Sequence, residues 1–283
     1  MDYKIICGKS EEKLNLLKDE IIDLVITSPP YNVNLGDNKF NKNPYDLYND
    51  NRDHQEYIKW LKDIFALIKK KLKKGGRCVI NIGSGKNGRV PTESDIMHFM
   101  TKELNFIPMG TIIWNKNDCS NRFSFGSFKS PSCPSFPKPF EYILLFAKDT
   151  NKLQYKGETD LTKQEFIDWS LALWNVAPEK NMKKIGHPAC YPVALPYRLI
   201  KMLSWKYAIV LDPFSGSGTT GVACKKLDRN YIGIELSQKY CDISLKRIEE
   251  TEKDIFSESD NSIKIENLFS KWFYLWYNKQ WRY

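Results

Sequence analysis

The chain has no long apolar run. Its longest, such as Tyr142–Ala147 and Tyr207–Leu211, fall far short of the roughly 20 residues a membrane span needs, and Met1-Asp-Tyr-Lys4 lacks a signal peptide's apolar core. No membrane partner is expected, and the expected location is the cytoplasm. Metal-ligating residues are sparse: His54, His98 and His187 are the only histidines, and Cys7, Cys78, Cys119, Cys133, Cys190, Cys224 and Cys241 form an odd, scattered set without a CxxC pair. This argues against a zinc site and against a disulfide framework, so no metal is expected.

What is present suffices for a packed core, with 42% hydrophobic and 13% aromatic content in 283 residues. The excess of 43 basic over 34 acidic residues, a formal charge of +9, suits a partner carrying dense phosphate charge, although lysine-rich compositions also serve solubility alone.

Strand and helix signals alternate. Asp23-Leu-Val-Ile-Thr27 reads as a short buried strand stopped by Pro29-Pro30, because proline cannot donate to a ladder and restricts the residue before it. Asp53 with Glu56 resembles a capping box, and Tyr57, Leu61, Ile64, Phe65, Ile68 and Leu72 then recur at helical spacing until Gly75-Gly76. The lysines of Lys69–Lys74 read as a solvated helix end complementing the dipole, in preference to a DNA patch. Three β-rich runs follow, Arg77–Ile82, Gly110–Trp114 and Glu141–Ala147, with a helix expected around Ser94–Leu104 and a long surface loop over Asn115–Pro139. Later come a helical Leu195–Trp205 and the strand Ala208–Asp212. Alternation of this kind predicts an α/β sheet of Rossmann-like type.

After that last strand, Asp212-Pro-Phe-Ser-Gly-Ser-Gly-Thr219 forms a glycine-rich turn into a helix running to about Leu227, and Gly216, Gly218 and Gly221 satisfy G-x-G-x-x-G. A second strand, Tyr231–Glu235, ends in a carboxylate 19 residues after Gly216, near the separation at which an acid bonds ribose hydroxyls. The pattern also fits a nicotinamide dehydrogenase. Only about 70 residues follow the turn, however, too few for a complete doubly wound domain, so earlier strands must complete the sheet. Asp212 before the turn further suits a ligand with a positively charged α-amino group.

Ser28-Pro-Pro-Tyr31 closes the buried strand. The exocyclic amino group of cytosine or adenine is a weak nucleophile because its lone pair is delocalised into the ring. The Ser28 hydroxyl and the Pro29 carbonyl, both rigidly held, can accept its two hydrogens while Tyr31 stacks on the base.

Taken together, Ser28-Pro-Pro-Tyr31 upstream and Asp212-Pro-Phe-Ser-Gly-Ser-Gly218 downstream resemble the beta class of amino DNA methyltransferases, in which the catalytic motif precedes the cofactor motif. Lys138–Lys148 and His187–Ile200 add matches, so the similarity spans roughly residues 20–245. The resemblance implies a seven-stranded methyltransferase sheet, circularly permuted so that the catalytic half comes first, with S-adenosyl-L-methionine as methyl donor and double-stranded DNA as substrate. It implies catalytic roles for Ser28, Pro29, Pro30 and Tyr31. Asp212, Phe214, Ser215, Gly216, Ser217, Gly218, Thr219 and Glu235 would hold the cofactor, with His187-Pro188 closing its other side; for His187 a helix-capping role is the competing reading.

The implied organisation is a catalytic half at 1–148, a target-recognition region at 149–184, a cofactor half at 185–250 and an aromatic extension at 251–283. Within the family, Ser-Pro-Pro-Tyr is mostly associated with cytosine N4 and Asp-Pro-Pro-Tyr with adenine N6, so cytosine is the expected base and adenine the alternative. The chain has no Pro-Cys dipeptide, which disfavours covalent carbon-5 chemistry. A restriction endonuclease acting on the same site is the family's usual companion. Oligomeric state stays open, and a non-catalytic DNA-binding protein on the same fold is the remaining rival.

Overall fold

The computed structural model describes residues 1–32, 47, 52–85, 89–116, 126–180, 182–186 and 190–252. His187, Pro188, the 117–125 part of the long loop and nearly all of the aromatic extension lie outside the described residues.

In chain order the elements are β1 (Tyr3–Cys7), α1 (Ser10–Asn15), β2 (Ile22–Thr27), α2 (His54–Lys71), β3 (Leu72–Ile82), α3 (Thr92–His98) running into a π-helical turn at Phe99–Glu103, β4 (Phe106–Asn115) and β5 (Phe140–Lys148). Then follow α4 (Lys163–Trp169), β6 (Leu173–Asn175), α5 (Met182–Ile185), α6 (Ala194–Leu203), β7 (Ile209–Asp212), α7 (Thr219–Lys226), β8 (Asn230–Glu235) and α8 (Gln238–Glu249). The strands form one sheet in the order β1-β8-β7-β2-β3-β5-β4-β6, with β5 antiparallel to both its neighbours and the other pairings parallel.

The α/β class is as the sequence predicts, but the sheet has eight strands among the described residues where seven are expected. The strands beyond those read from the sequence are the two edge strands β1 and β6, the latter short and paired with β4. β6 lies inside the segment 149–184, whose Trp169 and Trp174 are buried in the core against α6. Arg198 lies over both indole rings, and Trp114 Nε1 donates to the Val176 carbonyl at 2.7 Å. Trp169, Trp174 and Val176 thus anchor a largely exposed segment to the body of the sheet.

β2 sits at the centre, between β7 and β3, and all six of its residues are buried. One face packs under α2 through Tyr57, Leu61, Ile64, Phe65 and Ile68, the stripe read from the sequence. The opposite face packs under α6 and α7. α2 is capped by Asp53, whose carboxylate accepts from the Gln55 and Glu56 amides. The reciprocal capping box forms instead at α4, between Thr162 and Glu165.

Two sequence expectations change here. α2 stops at Lys71, and the chain passes directly into β3 at Leu72 without waiting for the glycines. The lysines at this corner are also not a freely solvated end. Lys71 is buried, its ammonium donating to the Leu17 carbonyl at 2.8 Å and to Asp19 at 2.6 Å, while Lys73 pairs with the buried Asp23 and Lys69 donates to the Leu104 carbonyl.

Candidate active site

β2 and β7 are parallel neighbours, so the loops leaving their carboxyl ends emerge side by side. A direct bond joins them: Thr27 Oγ1, at the end of β2, donates to Asp212 Oδ1, at the end of β7, at 2.7 Å. Both loops face a cavity of about 720 Å³, within the roughly 300–1,000 Å³ usual for ligand sites.

The first loop is Ser28–Tyr31. Consecutive prolines end the ladder after Thr27, and the Tyr57 hydroxyl of α2 donates to the Pro30 carbonyl at 2.7 Å, fixing the loop from below. Ser28, Pro29, Pro30 and Tyr31 all line the cavity. The Tyr31 hydroxyl is fully engaged: it accepts from Ser28 Oγ at 3.1 Å and from Asn81 Nδ2 at 2.8 Å, and donates to Glu141 Oε2 at 2.8 Å. Burial, and secondarily the Glu141 carboxylate, pushes the Tyr31 phenol well above its usual range, so it stays protonated.

Glu141 itself is 8% exposed. It accepts from Asn81 Nδ2 at 2.8 Å and is paired through its other oxygen with Lys116, whose ammonium lies over the Trp114 ring. Asn81, Trp114, Lys116 and Glu141 line the same cavity. Asn81, Lys116 and Glu141 are not among the site residues read from the sequence. The signal that could have found them is polarity out of pattern: Asn81 interrupts the apolar run of β3, and Glu141 opens the apolar β5.

The second loop is the glycine turn. Gly218 has φ +77°, and a Cβ there would stand 2.1 Å from Ser244 Oγ on α8. Gly221 lets α7 approach β8 so closely that a Cβ would meet the Tyr231 ring at 2.7 Å. The hydroxyls of the turn serve the turn itself. Ser215 Oγ pairs with the Tyr231 hydroxyl, and Arg247 Nη1 of α8 donates to the Ser217 carbonyl and to the Ser217 and Thr219 hydroxyls. Arg247 is a further group that sequence reasoning missed; burial lowers its affinity for the proton.

Phe214, Ser215, Gly216, Ser217, Thr219 and Glu235 line the cavity; Asp212 and Gly218 lie behind its wall. Glu235 Oε2 accepts from the Gly216 amide at 2.8 Å and its Oε1 from the Ser237 amide at 2.9 Å, with burial raising its pKa.

Asp212, read from the sequence as an acceptor for an α-amino group, is placed differently. It is 1% exposed. Its carboxylate takes bonds from Thr27 Oγ1, the Phe214 amide, Thr220 Oγ1 and the Tyr191 hydroxyl, which accounts for its ordinary complement of lone pairs. Burial raises its pKa against the pull of these bonds. Asp212 therefore ties the glycine turn to the strand carrying Ser28. The residues just past 187–189, Cys190 and Tyr191, do line the cavity.

Sheet order, paired loops and lining polar groups together define an α/β fold whose two neighbouring strand ends share one ligand-sized cavity. The chain belongs to the family described as DNA methylase, N6_N4_Mtase, which matches residues 22–246. It is 38% identical over 175 residues to the type II methyltransferase M.MjaVI of Methanocaldococcus jannaschii, covering 61% of this chain and 86% of that protein. It is 32% identical over 266 residues to the type II methyltransferase M.HinfI of Haemophilus influenzae, covering 87% of this chain and 68% of that protein. Among solved structures it is similar to a Thermus thermophilus protein described as a putative DNA modification methylase, crystallised with S-adenosyl-L-methionine, at TM-score 0.64 and 26% identity over 87% of this chain and 94% of that one. The fold also matches the PvuII DNA methyltransferase, described as cytosine-N4-specific, at TM-score 0.67 and 22% identity, covering 96% of this chain and 92% of that one.

Proposed function

We propose that this DNA methyltransferase transfers the methyl group of S-adenosyl-L-methionine to the exocyclic N4 of a cytosine flipped out of duplex DNA. The observation that carries the reading is the placement of Ser28 on a proline-stiffened strand end, in the same cavity as the glycine turn and Glu235. S-adenosyl-L-methionine brings an electrophilic methyl on a sulfonium.

The cavity suits that ligand. Phe214 and the partly apolar wall would take the adenine and Glu235 the ribose hydroxyls, while the backbone of Ser215–Thr219 would approach the remainder. Asp212 acts as a positioning residue through Thr27. On the base side, Ser28 Oγ and the Pro29 carbonyl accept the amino hydrogens and draw the nitrogen towards tetrahedral geometry. The Tyr31 ring, locked by its three hydroxyl bonds, offers a fixed stacking face. Alignment of nitrogen with the methyl carbon then supplies most of the rate.

Recognition of the surrounding sequence is assigned to the solvent-facing parts of 149–184, aided by the 126–139 part of the long loop, where Phe128 and Phe136 are exposed at 68% and 77%. A restriction–modification role follows the type II names of the relatives. The test is twofold. Calorimetry should show binding of S-adenosyl-L-methionine and none of NAD, and methyl-tritiated donor should label duplex DNA. Binding of NAD alone, or label entering RNA but not duplex DNA, would overturn the reading.

A further inference from the structure

A methyl group delivered as a cation leaves the amino nitrogen with one surplus positive charge, and a proton must depart. The Pro29 carbonyl cannot carry that proton away. Ser28 can only exchange it, taking the new proton while releasing its own. The described residues contain an ordered exit: Ser28 Oγ donates to Tyr31 Oη at 3.1 Å, and Tyr31 Oη donates to Glu141 Oε2 at 2.8 Å. Both hydrogen bonds in this chain point away from the base, and the chain ends on a carboxylate.

We propose that Glu141 is the terminal proton acceptor of the reaction, reached from the target amino nitrogen through Ser28 and Tyr31. It rests on the reading of Ser28 as the group that meets the amino nitrogen. In the step, the N–H bond of the methylated amino group breaks as a proton passes to Ser28 Oγ; the original Ser28 proton moves to Tyr31 Oη; and the original Tyr31 proton moves to Glu141 Oε2. The proton neutralises the carboxylate, so the positive charge that arrived with the methyl ends on the Glu141–Lys116 pair until the proton leaves, with no oxidant or further reactant. Glu141 lines the cavity and can later return its proton to solvent.

The surroundings suit an acceptor better than a mere brace. Burying a carboxylate is costly, and a brace between β4 and β5 could be apolar, as is the Ile112–Ile143 pair two residues along. Here the carboxylate sits opposite Trp114 on β4, with Lys116 balancing its charge and Asn81 Nδ2 bridging it to the same Tyr31 hydroxyl. Asn81 thereby holds donor and acceptor in register. A phenol pushed high by burial holds its proton at rest and passes one on only as it receives another.

The test uses Glu141→Gln, Tyr31→Phe and the double variant in single-turnover methylation on plasmid DNA, followed by an oligonucleotide duplex carrying the mapped site with 2-aminopurine at the target position. Glutamine keeps the acceptor bond to Tyr31 but cannot take the proton, and phenylalanine keeps the stacking ring. Each single variant should lose about a hundredfold in rate. The double variant should lose no more than the worse single one, while 2-aminopurine fluorescence still reports base extrusion as in the wild type. Formate should restore part of the rate to Glu141→Ala and none to Tyr31→Phe. A Glu141→Gln enzyme within threefold of wild type overturns the relay, as do penalties that multiply in the double variant. Loss of the fluorescence signal in Glu141→Gln also overturns it and makes Glu141 a positioning residue alone. If Ser28→Ala is inactive while Glu141→Gln is active, only the relay fails; if Ser28→Ala is active, the assignment of Ser28 fails with it.

Discussion

The loops at the ends of β2 and β7 lie side by side and are made rigid by opposite means. In Ser28–Tyr31 the backbone is fixed by prolines and by the bond from Tyr57, which leaves side chains to face the cavity. In 212–219 the polar side chains of Asp212, Ser215, Ser217 and Thr219 are engaged by Tyr231, Thr27, Thr220 and Arg247, which leaves backbone and the Phe214 ring to face the cavity. Side-chain identity should therefore matter most at the first loop and backbone conformation at the second.

The largest effect expected from breaking this contrast is at the first loop. The double substitution Ser28→Ala, Tyr31→Ala should lower methylation by about a thousandfold, the order seen when a transition-state hydrogen-bonding group is removed. Calorimetry should show donor binding intact, because neither side chain belongs to the glycine turn. Gly218→Ala should instead act through the fold. Its φ of +77° and the 2.1 Å approach to Ser244 Oγ predict a loss of about 1–3 kcal/mol in urea unfolding, together with weakened donor binding. Glu235→Gln sharpens the comparison at its border, since this side chain belongs to the second loop's neighbourhood yet faces the cavity. About a tenfold loss of donor affinity is expected by calorimetry, in line with one weakened charge-assisted bond.

The smallest effect concerns Asp212. Burial raises its folded pKa above the reference 3.8, so between the unfolded and folded values the native state holds more protons than the unfolded one. Its contribution to stability then falls as pH rises from about 3.8 through the folded pKa, and the penalty is complete above it. Asp212→Asn should flatten that part of the profile. Urea unfolding of both proteins at pH 4 and pH 6.5 checks the sign: the wild type should lose stability relative to the variant on going up.

The same contrast decides what could be read from the sequence. Pro29-Pro30 after an apolar run fixes a strand end by covalent geometry alone, and the glycine spacing fixes a tight turn, so both strand ends were legible. The stripe of α2 was legible because its period is local. Its end was not, because Lys71 is held by Leu17 and Asp19, more than 50 residues away in sequence. Glu141, Asn81 and Lys116 meet only through the β3–β5–β4 pairing, which no local pattern encodes. Asp212 was legible as a special residue, but its bond to Thr27, 185 positions earlier, ties its carboxylate to the neighbouring strand, off the cavity lining. Gly110–Trp114 was read too short as a strand because Pro108 lies within β4, where the pairing with β5 shifts register between Pro108 and Gly110.

The most direct test of the proposed chemistry is the identity of the methylated base. Unmodified duplex DNA incubated with S-adenosyl-L-methionine and either the wild type or Ser28→Ala is digested to nucleosides and analysed by mass spectrometry. N4-methyldeoxycytidine is expected from the wild type, with its near absence in the Ser28→Ala reaction; N6-methyldeoxyadenosine, or an undiminished N4 product from the variant, would contradict the assignment of Ser28 to a cytosine amino group.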